Sequence, residues 1–172
     1  MNRNQSIHSL MSEPATQKQL QKLFHESVLH EPGDAVGFLI WRATMAYQRK
    51  AEEVLAPMGV THLQFAVLAT SAWLGQRNAE VSQRSIVDQS GIREAQVSLM
   101  IKALRQKEFL TQTLGERDPR VRAIKITSVG MRVLEDALQV IGALNEHLWP
   151  SRKERETVSG ILTGALTRWG EV

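Results

Sequence analysis

The chain contains no cysteine. That absence excludes disulfides, thiolate metal sites, thiol catalysis and a cysteine-based redox sensor, though it does not fix the compartment. No apolar run approaches the roughly 20 residues needed to span a bilayer, and the opening stretch MNRNQSIHSLMSEPATQ lacks the apolar centre of a secretion signal. Charge of one sign is scarce as well. Lys and Arg outnumber Asp and Glu by 21 to 18, an excess too small to announce a polyanionic partner, so only the distribution of charge can do that. No Ser/His/Asp set, glycine-rich phosphate loop or acid pair is recognisable, so no enzymatic activity and no cofactor are expected. His25 and His30, beside Glu26 and Glu31, lie five positions apart, about 140° around a helix, and therefore do not converge on a metal. What is left is a cytoplasmic, non-membrane chain of 172 residues, 42% hydrophobic and 23% charged, long enough to bury one good core.

Residues 1–17 are polar and aperiodic and read as a flexible tail. Over 18–30, Leu20, Leu23, Phe24 and Val28 recur at helical spacing, ended by EPGD. Asp34 can cap a long apolar helix from about 35 to 55 that carries Phe38, Leu39, Ile40, Trp41 and Met45. Thr61 and Gln64 have capping-box spacing and open a helix that Gly75 stops. Ser82 starts a short helix that breaks at Gly91, and another runs from about Arg93 to Glu108. Two helices separated by about three residues around a glycine are what a helix-turn-helix requires.

In the second of these helices Val97, Ile101 and Leu104 line one side. Ala95, Leu99, Lys102 and Gln106 fall near the opposite side, with Ser98 on a flank. FLTQTL and VRAIKIT then read as a hairpin joined by GERDPR, which makes the unit a winged helix-turn-helix. Thr127 can cap a further helix with Met131, Leu134, Leu138, Ile141, Leu144 and Leu148 on one stripe. Ser151 and Glu154 repeat the capping-box spacing before a last helix striped by Val158, Ile161, Leu162, Ala165, Leu166 and Trp169. The winged unit is small and supplies its own core, so the economical partner for these terminal stripes is a second copy of the chain. The expected organisation is a mainly α fold with a small β-hairpin wing. N-terminal helices of a dimerisation region occupy 18–56, a DNA-binding lobe 57–127 and C-terminal dimerisation helices 128–172.

Arg93, Lys102, Arg105, Lys107, Arg117, Arg120, Arg122 and Lys125 all fall on the second helix and the hairpin. Such a cluster can neutralise duplex phosphates; taken alone it is more often a solvated face, and the helix-turn-helix pattern is what reverses that in favour of DNA. At the hairpin tip Gly115 and Pro119 fit a stiff turn. Asp118 can accept a hydrogen bond from Arg120, which then loses less freedom on entering a minor groove. A turn whose charges merely neutralise one another fits the same residues. Trp41, Tyr47, His62, Phe65 and Trp73 gather where the long first helix would meet the lobe, either as core or as the wall of a small-molecule pocket.

LAPMGVTHLQFAVLA (55–69), SQRSIVDQSGIREAQVSLMIKALRQKEFL (82–110) and DPRVRAIKITSVG (118–130) together resemble the MarR family of transcription regulators, the last through its D-x-R wing. With the flanking helices the match covers about residues 34–170. The resemblance implies a homodimer whose two winged lobes grip a pseudo-palindromic operator of double-stranded DNA, commonly as a repressor that a small, often aromatic, ligand releases. It implies Arg120 in the minor groove, Asp118 orienting it, and Gln96, Ser98 and Leu99 facing the major groove. The full DNA-facing set is Ser82, Arg84, Arg93, Gln96, Ser98, Leu99, Lys102, Arg117, Asp118, Arg120 and Arg122. The ligand crevice would involve Trp41, Tyr47, His62, Phe65 and Trp73. Two departures bear on sequence preference. Arg93 stands where many relatives place a capping Ser or Thr, and Leu99 stands where many carry a basic residue; Leu99 can touch a thymine methyl but cannot read guanine. The alternative reading is a winged-helix adaptor that binds a protein partner and no small molecule.

Overall fold

The structure, a computed structural model, describes residues 14–27, 31, 33, 35–77, 80–115 and 122–170. Asp34, His30 and the wing-tip residues Arg117, Asp118, Pro119 and Arg120 lie outside the described residues. The chain divides into two compact units, Met1–Tyr47 and Gln48–Val172.

In the first unit, α1 (Gln17–Glu26) opens on a capping box in which the Thr16 hydroxyl accepts from the Gln19 N–H and the Gln19 carboxamide accepts from the Thr16 N–H at 2.8 Å. It ends at Ser27, short of the expected 30, where the backbone turns extended. None of its residues is buried, and Leu20, Leu23 and Phe24 are exposed. The next helix, α2 (Val36–Leu55), starts here with Phe38 and Trp41 stacked at 5.8 Å between ring centroids.

The second unit begins within α2, whose Ala51 and Leu55 are fully buried. A 3-10 turn, Ala56–Met58, leads to Gly59 at φ 67°, a left-handed conformation that glycine adopts without steric cost. The Thr61/Gln64 capping box then forms as expected and starts α3 (His62–Gly75). Ser82 caps α4 (Gln83–Ser90), Gly91 ends it at φ 67°, and α5 (Glu94–Gln106) follows after two residues of extended chain. The strands β1 (Leu110–Leu114) and β2 (Arg122–Ile126) pair antiparallel, with Leu110 opposite Ile126 and Leu114 opposite Arg122. A bond from the Ile124 N–H to the Val81 carbonyl, 2.8 Å, ties the return strand to the segment ahead of α4. Thr127 caps α6 (Ser128–Leu148), and a Ser151/Glu154 capping box opens α7 (Arg152–Trp169).

One cluster forms the core of this unit: Val67 and Leu68 of α3, Ile86 of α4, Val97, Ile101 and Leu104 of α5, Leu110 and Ile124 of the hairpin, and Leu134 of α6, with Val81 between them. The stripe expected along α6 splits. Leu134, Ala137 and Ile141 turn inward, whereas Met131, Leu138 and Leu148 stay exposed. No residue of α7 is buried, and Ile161 and Trp169 are 64% and 67% exposed. Among the described residues no single helix is long and apolar enough to cross a membrane, and no group of His, Asp and Glu side chains could hold a metal ion.

Candidate nucleic-acid interface

The two faces of α5 differ sharply. Val97 and Leu104 are fully buried and Ile101 is 3% exposed, so the helix is seated by its apolar side. The sequence phasing placed Ala95, Leu99, Lys102 and Gln106 opposite, and all four are exposed, as is Ser98. Leu99 is 61% exposed, an apolar side chain presented to water at the centre of that face. The only acid of the helix, Glu94, sits in the first turn, where the helix dipole favours it. Arg93 makes no side-chain cap. Its guanidinium instead reaches the half-buried Gln96 carboxamide at 3.5 Å, leaving the first N–H groups of α5 without a side-chain acceptor.

Ser82 is placed at the N-cap of α4, accepting from the Ser85 N–H at 3.1 Å. Arg84, further along, pairs with Asp88 at 2.9 Å on an open surface; such a pair contributes little and is easily exchanged for another anion. Arg122 is exposed at the first position of β2, paired with the last residue of β1. It marks the described end of the wing, beyond which the expected minor-groove residues lie.

Two cations of the cluster, though exposed, are tied to their own lobe. Arg105 donates to the Gln112 carboxamide of β1 at 3.1 Å. Lys107 donates to the Gly59 carbonyl at 2.6 Å and to the Gln64 carboxamide at 2.8 Å, so its ammonium is turned toward the start of α3. Charge counting alone groups it with the phosphate-neutralising cations.

A second feature that sequence patterns did not single out is the joint between α5, β1 and α6. The Thr127 hydroxyl accepts from the Gly130 N–H at 2.9 Å and donates to the Glu108 carbonyl at 2.6 Å. Gly130 lies so close to the Phe109 backbone that a Cβ there would collide with the Phe109 carbonyl.

The five aromatic and histidine candidates are divided between the two units. Trp41 (58% exposed) and Tyr47 (half-buried) belong to the first unit. The other three lie on α3 in the second. Phe65 packs against the core, and Trp73 carries the Arg77 guanidinium over its ring at 4.1 Å. His62 and Trp73 stand at opposite ends of the helix, about 16 Å apart along its axis at 1.5 Å per residue. Burial lowers the pKa of the His62 imidazole, and the nearby Glu52 carboxylate partly opposes this. None of the five lines the cavity of about 460 Å³ bounded by Ala72 and Gly75 of α3, Val81, Ile124 and Ile126 of the hairpin region and Met131 of α6.

No family model matches the chain. A curated relative, the uncharacterized HTH-type transcriptional regulator YdcH of Bacillus subtilis (strain 168), is 26% identical over 131 residues, covering 76% of this chain and 89% of its own length. Among solved structures, S. aureus MepR in complex with DNA superimposes with a TM-score of 0.69 at 18% identity, covering 81% of this chain and 99% of that one. A mutant of E. coli MarR complexed with operator DNA gives 0.68 at 23% identity, with 81% and 99% covered. The chain has the fold of the MarR-family regulators. A third neighbour, CouR from Rhodococcus jostii RHA1 bound to p-coumaroyl-CoA, gives 0.68 at 22% identity, with 79% and 92% covered. The curated relative is named a transcriptional regulator, as are further structural neighbours from Rhodococcus sp. RHA1 (MarR family) and Pseudomonas aeruginosa. Within the MarR-type fold, the three segments that carried the sequence resemblance fall on the turn into α3, on α4 through β1, and on β2 with the start of α6.

Proposed function

We propose that the chain is a dimeric transcription regulator that binds a pseudo-palindromic DNA operator and represses nearby genes until a small, aromatic ligand releases it. The observation that carries this reading is α5: a helix held by three buried residues, with Ser98, Leu99, Lys102 and Gln106 free on its outer side and Arg93 at its start. Such a face has the composition of a major-groove reader. Ser98 and Gln96 can hydrogen-bond base edges, Leu99 can pack on a thymine methyl and Lys102 can meet a phosphate. Ser82 and Arg84 at the start of α4 would flank it on the backbone. Arg120, oriented by Asp118, would enter the minor groove, with Arg117 and Arg122 on phosphates. The DNA-containing structures of MepR and MarR support this use of the fold.

Dimerisation is supported by the apolar residues left exposed on the two last helices, Met131, Leu138 and Leu148 on α6 and Ile161, Leu162, Leu166 and Trp169 on α7. In this reading 18–56 and 128–172 pair two chains and 57–127 forms each lobe. The ligand is supported by the CouR complex and would lie against Trp41, Tyr47, His62, Phe65 and Trp73. It must favour the lobe spacing that does not fit DNA, because a ligand without differential affinity shifts no equilibrium.

Selecting bound duplexes from a random pool tests the function class. A two-half-site consensus is expected, and Arg120→Ala should weaken it several-fold or more while the oligomer persists. A pool that stays unenriched favours the protein-binding adaptor instead.

A further inference from the structure

We propose that Lys107 is a positioning residue of the DNA interface: its ammonium fastens the C-terminal end of α5 to the turn between α2 and α3, and so sets the angle at which the outer face of α5 meets the duplex. This rests on the DNA-binding reading above.

Lys107 sits about 140° around the helix axis from Lys102 and only about 60° from the buried Leu104, at 100° per residue. It is therefore on the side of α5 that faces its own lobe. Two of its three donors are used at short range, on the Gly59 carbonyl (2.6 Å) and the Gln64 carboxamide (2.8 Å). A charge-assisted hydrogen bond of this length is stronger than a neutral one; Lys107 itself is exposed, and the Gln64 that receives it is buried at 7% exposure.

The turn that receives Lys107 is itself held on every side. Gly59 donates back to the Ala56 carbonyl at 2.9 Å. Gln64 also closes the capping box with Thr61, and the His62 N–H is anchored on the Glu52 carboxylate at 2.9 Å. A flexible side chain tied to such a rigid turn works as a stay on the helix end. Two other polar ties near that end, Arg105 to Gln112 and the Thr127 hydroxyl to the Glu108 carbonyl, lead to the hairpin and to α6 instead.

The consequence for DNA follows from leverage. Thirteen residues of α5 span about 20 Å, so a pivot of about 5° at one end moves the other by between 1 and 2 Å. Short side chains that read base edges through bonds of about 2.7 to 3.2 Å lose their partners over that shift. Long, flexible Lys and Arg side chains on phosphates follow it. Releasing Lys107 should therefore reduce specificity without reducing the electrostatic attraction.

The test uses the full chain, its selected operator and a scrambled duplex of equal length, each titrated over a range of salt. Lys107→Met is expected to weaken operator binding about tenfold or more, leave scrambled-duplex binding within about twofold, and leave the slope of log affinity on log salt unchanged. Gln64→Met, which alters no charge, should lose specificity in the same way; melting temperatures show that both variants are folded. A parallel loss on both duplexes with a slope shallower by about one per lobe would make Lys107 a phosphate contact and overturn the proposal. Unchanged operator affinity in either folded variant would also overturn it, reducing the tie to a contribution to stability. If the wild-type chain binds no duplex at all, the DNA-binding reading fails first and the positioning role falls with it.

Discussion

Glu108 has φ 61°, the only positive value outside glycine among the described residues. It ends α5 in a Schellman arrangement: the Phe109 N–H bonds the Leu104 carbonyl at 2.9 Å and the Glu108 N–H bonds the Arg105 carbonyl at 3.0 Å. An L-residue held there costs about 1–2 kcal/mol, partly offset by the larger unfolded-state entropy of glycine. Glu108→Gly should therefore stabilise the chain by roughly 0.5–1 kcal/mol, or about 2–4 °C in Tm; a lower Tm would contradict the cap. His62 makes a second prediction at this scale. Because burial depresses its pKa, the unfolded chain binds the proton more readily than the folded one, and stability must rise with pH across that range. The contribution is complete above about 6.5, the unfolded value, and is lost as the pH falls through the lower folded value. Tm followed against pH should drop on the acid side, and His62→Gln should flatten that drop. An unaltered profile in the variant would place the acid sensitivity elsewhere.

At the scale of elements, the joint that fixes the hairpin to α6 depends on Gly130 having no side chain. Gly130→Ala should destabilise the chain by about 1–3 kcal/mol, since the obstacle is the Phe109 backbone and not a movable side chain; chemical denaturation measures it, and a loss below about 0.5 kcal/mol would contradict the close approach. The same elements show what sequence discloses. Caps were legible because their chemistry is local: Thr61 with Gln64, Ser151 with Glu154, and Ser82 and Thr127 each act within three residues. The seating of α5 was legible because period and apolarity coincide at Val97, Ile101 and Leu104. The inward turn of Lys107 was not, because its partner Gly59 lies 48 residues away and a lysine's charge says nothing of its direction. Whether the aromatic set converges was not legible for a related reason: Trp41 and Tyr47 fall in one unit and His62, Phe65 and Trp73 in the other, and spacing along the chain does not specify distance in space. The split stripe of α6 reflects a helix with one side on its own lobe and another side uncovered.

At the scale of the whole molecule, the exposed apolar residues of α6 and α7 bear on the proposed dimer. Ile161, Leu162, Leu166 and Trp169 recur at helical spacing on a helix with no buried residue, and an exposed apolar surface of that extent marks an interaction site. In the proposed dimer this stripe is buried, so Ile161→Glu should shift the sedimentation equilibrium toward monomer at micromolar concentration and weaken operator binding with it, because two linked lobes bind far more tightly than one. A variant that remains as dimeric as the wild type would move the interface off α7. The central claim, that α5 and the wing present a duplex-binding surface, is tested most directly by the salt dependence of binding to a duplex selected from a random pool. Several phosphate contacts per lobe predict a steep linear fall of log affinity with log salt concentration, with the selected duplex remaining well above a scrambled one throughout; a flat dependence, or equal affinity for both duplexes at every salt concentration, would contradict it.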